Sequence, residues 1–402
     1  MKRWNIYTPE GVQDILFDDC KKKRALESGL RRVLALNGYR ELETPTFEFY
    51  DVFAGDGDLI KQESLYKFCD TKGRLLALRC DMTVPVARVA ATKLREDTFP
   101  LKCFYIGNTF SFDQLGGGKQ NEFTQAGCEI LGINSPEADA ECVAMAIKAI
   151  QATGIEEFQI DIGQVAFFKG LMEETGLLPD EAEAVRELID LKDFVGVEQI
   201  LIKHQVKEQI KRILLDLPGL FGSKDILGRI DEAAIGKKAS DALANLRTVL
   251  EILEERGLSR YVSVDLGMVQ SLNYYTGLVF RGYTYGVGFP VLSGGRYDNL
   301  ISRFGMDCPA TGFSMGINLI LMALDRQKKN GKQLPAGAFI LYAAETRKEA
   351  GLLCDSLIEK GVAAELDMGV GSEEKAKEYA KAKGYEKIIR VEADGAIREV
   401  LL

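Results

Sequence analysis

The chain has one histidine and one tryptophan in 402 residues, and none of its eight cysteines forms a CxxC pair. A single His204 excludes a histidine-rich metal centre and any mechanism that needs two imidazoles. The cysteines stand at 20, 69, 80, 103, 128, 142, 308 and 354, with no zinc-ligand spacing. A chain of this size buries a core without disulfide staples, so reduced thiols and a cytoplasmic protein are expected. No stretch reaches the roughly 18 apolar residues of a membrane span. The first residues, Met1 to Ile6, lack an apolar leader core, so no secretory signal is expected. Charge of one sign is not concentrated. The 51 basic and 60 acidic residues leave −9, which argues against a general polyanion binder and leaves room for a local basic patch.

What is present is ordinary for a globular protein: 46% hydrophobic and 28% charged residues. The length predicts two or three domains at about 150 residues each. From Met1 to about Phe168 helical and strand patterns mix. Cys20 to Asn37 has Leu26, Leu30, Val33 and Leu34 at helical spacing, stopped by Gly38. Arg74 to Leu78, Cys103 to Phe112, Asn121 to Ile130 and Phe158 to Ile162 read as strands. Gly, Asp and Pro turns join them, as in an antiparallel sheet. About 169 to 256 is helical in pattern, over Glu181 to Leu191, Val197 to Leu215 and Lys238 to Arg256. Strands resume at Val262 to Leu266, Leu278 to Tyr283 and Val291 to Ser293, so the helices read as an insertion into one sheet domain, residues 1–326. A polar linker over Gln327 to Pro335 opens a second unit, 327–402. Its strands at Ala338 to Ala343, Val362 to Leu366 and Lys387 to Val391 alternate with helices at Thr346 to Lys360 and Ser372 to Lys383, a small α/β domain. The fold class is therefore α+β.

Four segments could carry chemistry. Asp81-Met82-Thr83 puts a carboxylate beside a hydroxyl, and both residue types also suit the start of a helix over Val84 to Leu94. Gln125 and Glu129 lie four apart in an alternating strand and share a face, either lining a site or meeting solvent. Tyr274 and Tyr275 precede a strand and could equally be packing residues. Gly294-Gly295 before Arg296-Tyr297-Asp298 reads as a turn entering a helix. Gly116-Gly117-Gly118-Lys119 lacks the P-loop spacing and reads as a hairpin tip.

In this order the segments resemble the core of a class II aminoacyl-tRNA synthetase, specifically histidyl-tRNA synthetase. The resemblance begins at Thr8-Pro9-Glu10-Gly11-Val12-Gln13-Asp14 and runs through Gly38 to Pro45, similar to motif 1, a dimer-interface element of that family. Leu78 to Thr83 is similar to its amino-acid-binding LRPDxT stretch, and Phe104 to Gly132 to motif 2. Tyr274-Tyr275-Thr276-Gly277 and Gly294 to Asp298 resemble the YYTG and GGRYD signatures, and Gly312 to Gly316 the start of motif 3. The resemblance covers about 320 residues in collinear order and implies an antiparallel sheet with flanking helices. It also implies that Asp81, Thr83, Gln125, Glu129, Tyr274 and Tyr275 form a histidine-pocket-like effector site.

The departures bear on activity. Adenylation concentrates charge on phosphates, and arginines clamp it because a guanidinium binds phosphate oxygens bidentately and stays protonated. Where the family has these cations, this chain has Ser111, Asn121, Gln270 and Leu319. Losing one such donor typically costs on the order of 10²–10³ in rate, and several losses should abolish the step. Recognition residues without catalytic ones resemble the ATP phosphoribosyltransferase regulatory subunits. That resemblance implies a non-catalytic subunit with no catalytic residues, metal or cofactor. It would be needed by a short-form catalytic chain that joins N1 of ATP to phosphoribosyl pyrophosphate, the first step of histidine biosynthesis. It also implies a dimer within a hetero-octamer and allosteric feedback by histidine. The alternatives are a histidyl-tRNA synthetase activating histidine with ATP, or a synthetase-like sensor within a larger regulator. The second unit resembles a truncated anticodon-binding domain without its final helix. From Gln333 onward it has ten basic and thirteen acidic residues, which disfavours tRNA.

Overall fold

The structure, a computed structural model, describes residues 4–54, 60–112, 120–269, 275–327, 336–369 and 372–402. It divides into two compact units, Met1–Lys329 and Asn330–Leu402.

In the first unit, helix α1 (Phe17–Leu36) is followed by strand β1 (Arg40–Glu41). A small antiparallel sheet of β2 (Phe47–Phe49), β3 (Lys67–Cys69) and β4 (Leu75–Leu78) precedes α2 (Thr83–Thr92). Then come β5 (Leu101–Phe110), β6 (Glu122–Leu131), α3 (Pro136–Ala152) and β7 (Phe158–Gln164). Helices α4 (Val165–Thr175), α5 (Pro179–Asp190), α6 (Phe194–Lys203) and α7 (Glu208–Asp216), the two-residue β8 (Phe221–Gly222) and α8 (Lys237–Glu255) make up the inserted segment. The chain returns through β9 (Val262–Asp265), β10 (Leu278–Thr284), β11 (Leu292–Arg296), β12 (Ala310–Gly316) and α9 (Ile317–Arg326). The large sheet runs β1-β5-β6-β12-β11-β10-β7-β9-β8. Its six central strands are antiparallel, and only the β1–β5 and β7–β9 pairs are parallel.

The pleat sorts the side chains. On β6, Ala126, Cys128 and Ile130 join the core under α3, while Gln125 and Glu129 point to the opposite face. On β5, Phe104 joins that same core, and Cys103 and Tyr105 pack with α2 on the other side. Helix α3 is almost wholly buried, and its many alanines let it lie close on the sheet. Ser135 caps it by accepting the Ala138 N–H at 3.3 Å, with Pro136 in its first turn.

Two expectations are corrected. Val197 to Leu215 is not one helix: it breaks between α6 and α7. There Gln205 takes a left-handed φ of 55°, and the Val206 N–H donates to the Leu201 carbonyl at 3.0 Å, a Schellman-type closure without the usual glycine signal. Gly294-Gly295 is not a turn but the interior of β11. A Cβ on Gly294 would sit 2.5 Å from the Gly312 carbonyl oxygen, and one on Gly295 would sit 2.9 Å from the Tyr275 ring.

The second unit is a four-stranded sheet, β14-β13-β15-β16, from β13 (Ala336–Tyr342), β14 (Ala364–Leu366), β15 (Tyr385–Val391) and β16 (Ile397–Leu401). Helices α10 (Arg347–Glu359) and α11 (Glu373–Ala382) cover its two faces with separate apolar clusters. The antiparallel β16, which the sequence reading leaves without structure, continues the sheet beyond β15.

Arg296, 4% exposed, locks the first unit. Its Nε donates to Asp139 of α3 at 3.0 Å and its Nη1 to Asp298 at 2.9 Å and to the Ile133 carbonyl at 3.3 Å. Arg296→Met leaves the 1% exposed Asp139 carboxylate unpaired. The change is expected to lower stability by about 3–5 kcal/mol in chemical denaturation, and a loss under about 1 kcal/mol would contradict this role.

Candidate functional site

The site is organised by a buried carboxyl group. Glu129 on β6 is 1% exposed. The Thr83 hydroxyl, at the start of α2, donates to its Oε1 at 3.0 Å. The Tyr105 hydroxyl from β5 donates to the same oxygen at 3.1 Å. The Tyr297 hydroxyl, one residue past β11, donates to Oε2 at 2.5 Å. Gly312 on β12 pairs with Glu129 across the strands, and a Cβ there would lie 1.5 Å from Oε2. Only glycine leaves room for the carboxyl group. Burial pushes the Glu129 carboxyl up to about 8. The Tyr297, Thr83 and Tyr105 hydrogen bonds oppose that shift, and the neighbouring Asp81 carboxylate adds to it.

Asp81 Oδ1 accepts the Val84 N–H at 2.9 Å, so the capping role read from the sequence is present. Its carboxyl also lines the cavity beside Glu129, and burial pushes its pKa up. That cavity holds about 260 Å³ and brings together Asp81, Thr83, Gln125, Glu129 and Tyr275 with Ser293, Tyr297, Gly312 and Ser314. Gln270 and Tyr274, as well as Gly116 to Lys119, lie outside the described residues.

A second cavity of about 310 Å³ adjoins it, sharing Cys80, Gln125, Ser293 and Ser314. Ser111 and Leu319 line this chamber. Asn121 does not. Its side-chain amide donates to the Glu10 carbonyl at 3.0 Å, and its backbone N–H donates to the Gly11 carbonyl at 2.7 Å, tying down the N-terminal segment. Gly11 has φ 77°, and a Cβ there would lie 2.5 Å from the Asn121 side chain.

Among the described residues that line the two chambers there is no Lys, Arg or His. Basic residues of the surrounding elements have other partners, and Lys169 donates to the Tyr275 carbonyl at 3.0 Å. Arg79 donates to the Asn108 and Thr44 carbonyls at 2.7 and 2.5 Å, Lys102 pairs with Glu141 at 2.9 Å, and Arg296 pairs with Asp139. Among the described residues no His/Cys/Asp/Glu cluster could hold a metal ion.

Sequence reasoning gave no role to Tyr105 or Tyr297. The alternation of β5 places Tyr105 opposite Gly127, two residues from Glu129, and that register was the available signal. Gln120 and Asn318 were also missed. The Asn318 amide donates to the Gln120 oxygen at 2.5 Å, while its own oxygen accepts the Thr124 N–H at 3.1 Å.

The arrangement can accept N–H donors from a cation: two carboxyls, the hydroxyls of Thr83, Tyr275, Ser293, Tyr297 and Ser314, and the Gln125 amide. Among the described lining residues it offers no cation that would clamp a triphosphate. Because the Glu129 carboxyl titrates higher folded than its ordinary 4.5, the stability of its protonated form is complete below about 4.5. That stability is lost as pH rises through about 8. Glu129→Gln removes this titration. Between pH 5 and 9 the wild-type unfolding midpoint should fall relative to the variant's, and parallel profiles would contradict the assignment.

Comparison with known proteins agrees with this geometry. A family model described as histidyl-tRNA synthetase matches residues 11–320. The chain is 55% identical to the ATP phosphoribosyltransferase regulatory subunit of Acetivibrio thermocellus, covering 97% of this chain and 94% of that protein. It is 49% identical to the subunit of the same name from Ruminiclostridium cellulolyticum, over 95% and 91%. A Bacillus halodurans crystal structure, described as an ATP phosphoribosyltransferase regulatory subunit/histidyl-tRNA synthetase, superposes with a TM-score of 0.86 at 32% identity, over 97% and 99%. Histidyl-tRNA synthetase from a Nostoc species shares the fold, with a TM-score of 0.82 at 22% identity, over 99% and 97%. With its synthetase-type sheet and a second chamber whose described lining is uncharged, the chain belongs to the family of ATP phosphoribosyltransferase regulatory subunits.

Proposed function

We propose that this chain is the histidine-responsive part of its complex. Family membership gives it a regulatory role in ATP phosphoribosyltransferase, at the head of histidine biosynthesis, with a catalytic subunit as partner. The finer reading is that L-histidine occupies the Glu129 cavity, that the chain works as a dimer within a hetero-octamer with a short catalytic chain, and that it has no tRNA substrate.

One observation carries this reading: the chamber around Glu129 keeps two carboxyls and three hydroxyls, while the adjoining chamber has no cation among its described lining residues. Carboxyls suit an ammonium group, and carboxyl and Tyr oxygens suit imidazole N–H groups. Adenylation in the same place would leave phosphate charge unneutralised in a partly apolar chamber lined by Phe123, Pro290, Val291, Leu292 and Leu319. The excess of acidic over basic residues from Gln333 onward likewise fits a docking or structural role better than a tRNA groove.

Inhibition by histidine requires that it bind the inactive arrangement of the complex more tightly than the active one, by the factor it shifts the equilibrium. The test is reconstitution with a short catalytic chain. L-Histidine should inhibit the wild-type complex. Asp81→Asn or Gln125→Ala should raise the half-inhibiting concentration at least tenfold, because a hydrogen bond to a charged group is worth about 1.5–3 kcal/mol. Unchanged inhibition in both variants would place the effector elsewhere.

A further inference from the structure

The two joined chambers treat the ends of an amino acid unequally. The first has Asp81 and Glu129 and, among the described residues, no basic side chain to neutralise them. Whichever of the two carboxyls gives up its proton has a cation as its charge complement. Among its described residues the second chamber offers neutral polar groups: the hydroxyls of Ser111, Ser293 and Ser314 and the amides of Gln120, Gln125 and Asn318. Asn318 is committed to Gln120 and Thr124. The Gln125 amide nitrogen lies 3.5 Å from the Ser314 hydroxyl, and Gln125 Oε1 is buried with no partner among the described residues. An acceptor held there welcomes an O–H or N–H and repels a carboxylate.

A carboxylate moved from water into such a chamber loses hydration without gaining a counter-charge, whereas an alcohol or ester loses far less. A site built around a guanidinium would show the opposite preference, by a factor of about ten or more.

We infer that the joined cavity reads the ammonium and imidazole of its ligand but not the carboxylate, so that its ligand class is imidazole-bearing primary amines, with L-histidinol and histidine esters bound at least as tightly as L-histidine. This rests on the preceding reading that an imidazole ligand occupies the Glu129 chamber.

The test is calorimetric titration of the full chain at pH 7.5 with L-histidine, L-histidinol and L-histidine methyl ester. The expected result is a dissociation constant for histidinol and the ester equal to or below that of histidine. Histidine binding ten times more tightly than both would overturn the inference while leaving histidine as the occupant. Binding of none of the three would overturn both readings. Ser111→Arg supplies a second arm. A cation in the second chamber should shift the ratio of the two affinities toward histidine by about tenfold. The ratio is independent of how much of the variant is folded, and an unchanged ratio would overturn the claim that a missing cation sets the preference.

Discussion

The structure of the site depends on a buried carboxyl group whose side-chain partners among the described residues are hydroxyls. Glu129 is held by hydroxyls from α2, β5 and the segment after β11, and by the space that Gly312 leaves on β12. An unpaired buried carboxyl costs free energy unless its oxygens are hydrogen-bonded or it takes up a proton. Here both responses are in place: three donors reach its two oxygens, and its affinity for a proton rises to about 8. Because those donors come from separate elements, the position of Glu129 ties together the helix, the sheet and the turn that surround the cavity.

The basic residues nearby serve the scaffold. Arg79 fastens the small sheet to β5 through backbone carbonyls, and Arg296 binds β11 to α3 through Asp139. A guanidinium committed in this way, through its Nε and one Nη, serves the scaffold. The chamber that a triphosphate would need is left with hydroxyls, amides and apolar side chains. On the function proposed above, recognition of a cationic ligand and activation of a carboxylate are separable in this fold. The first needs Glu129 and its donors, and the second needs cations that this chamber lacks among its described residues.

Much of this was legible in the sequence, for identifiable reasons. The two-residue period of β6 put Gln125 and Glu129 on one face, and the structure finds both on one cavity. The helical stripe of α1 and the alternation of the second unit emerge with boundaries shifted by a few residues. What was not legible depends on contacts between distant segments. Tyr105 and Tyr297 meet Glu129 only because β5, β6 and the end of β11 come together, over sequence separations of 24 and 168. Gly294-Gly295 looks like a turn locally, and only the close crossing of neighbouring strands explains two glycines inside β11. Asn121 was read as a missing cation, but its side chain has a structural task, holding the Glu10–Gly11 backbone. The break at Gln205 carries no glycine to announce it.

Separation of recognition from activation is the central claim, and histidine-dependent ATP–pyrophosphate exchange by the purified chain tests it most directly. No exchange above background is expected at any histidine concentration, because the described lining of the second chamber has no cation to neutralise the transferred charge. Exchange that rises with histidine and saturates would contradict it.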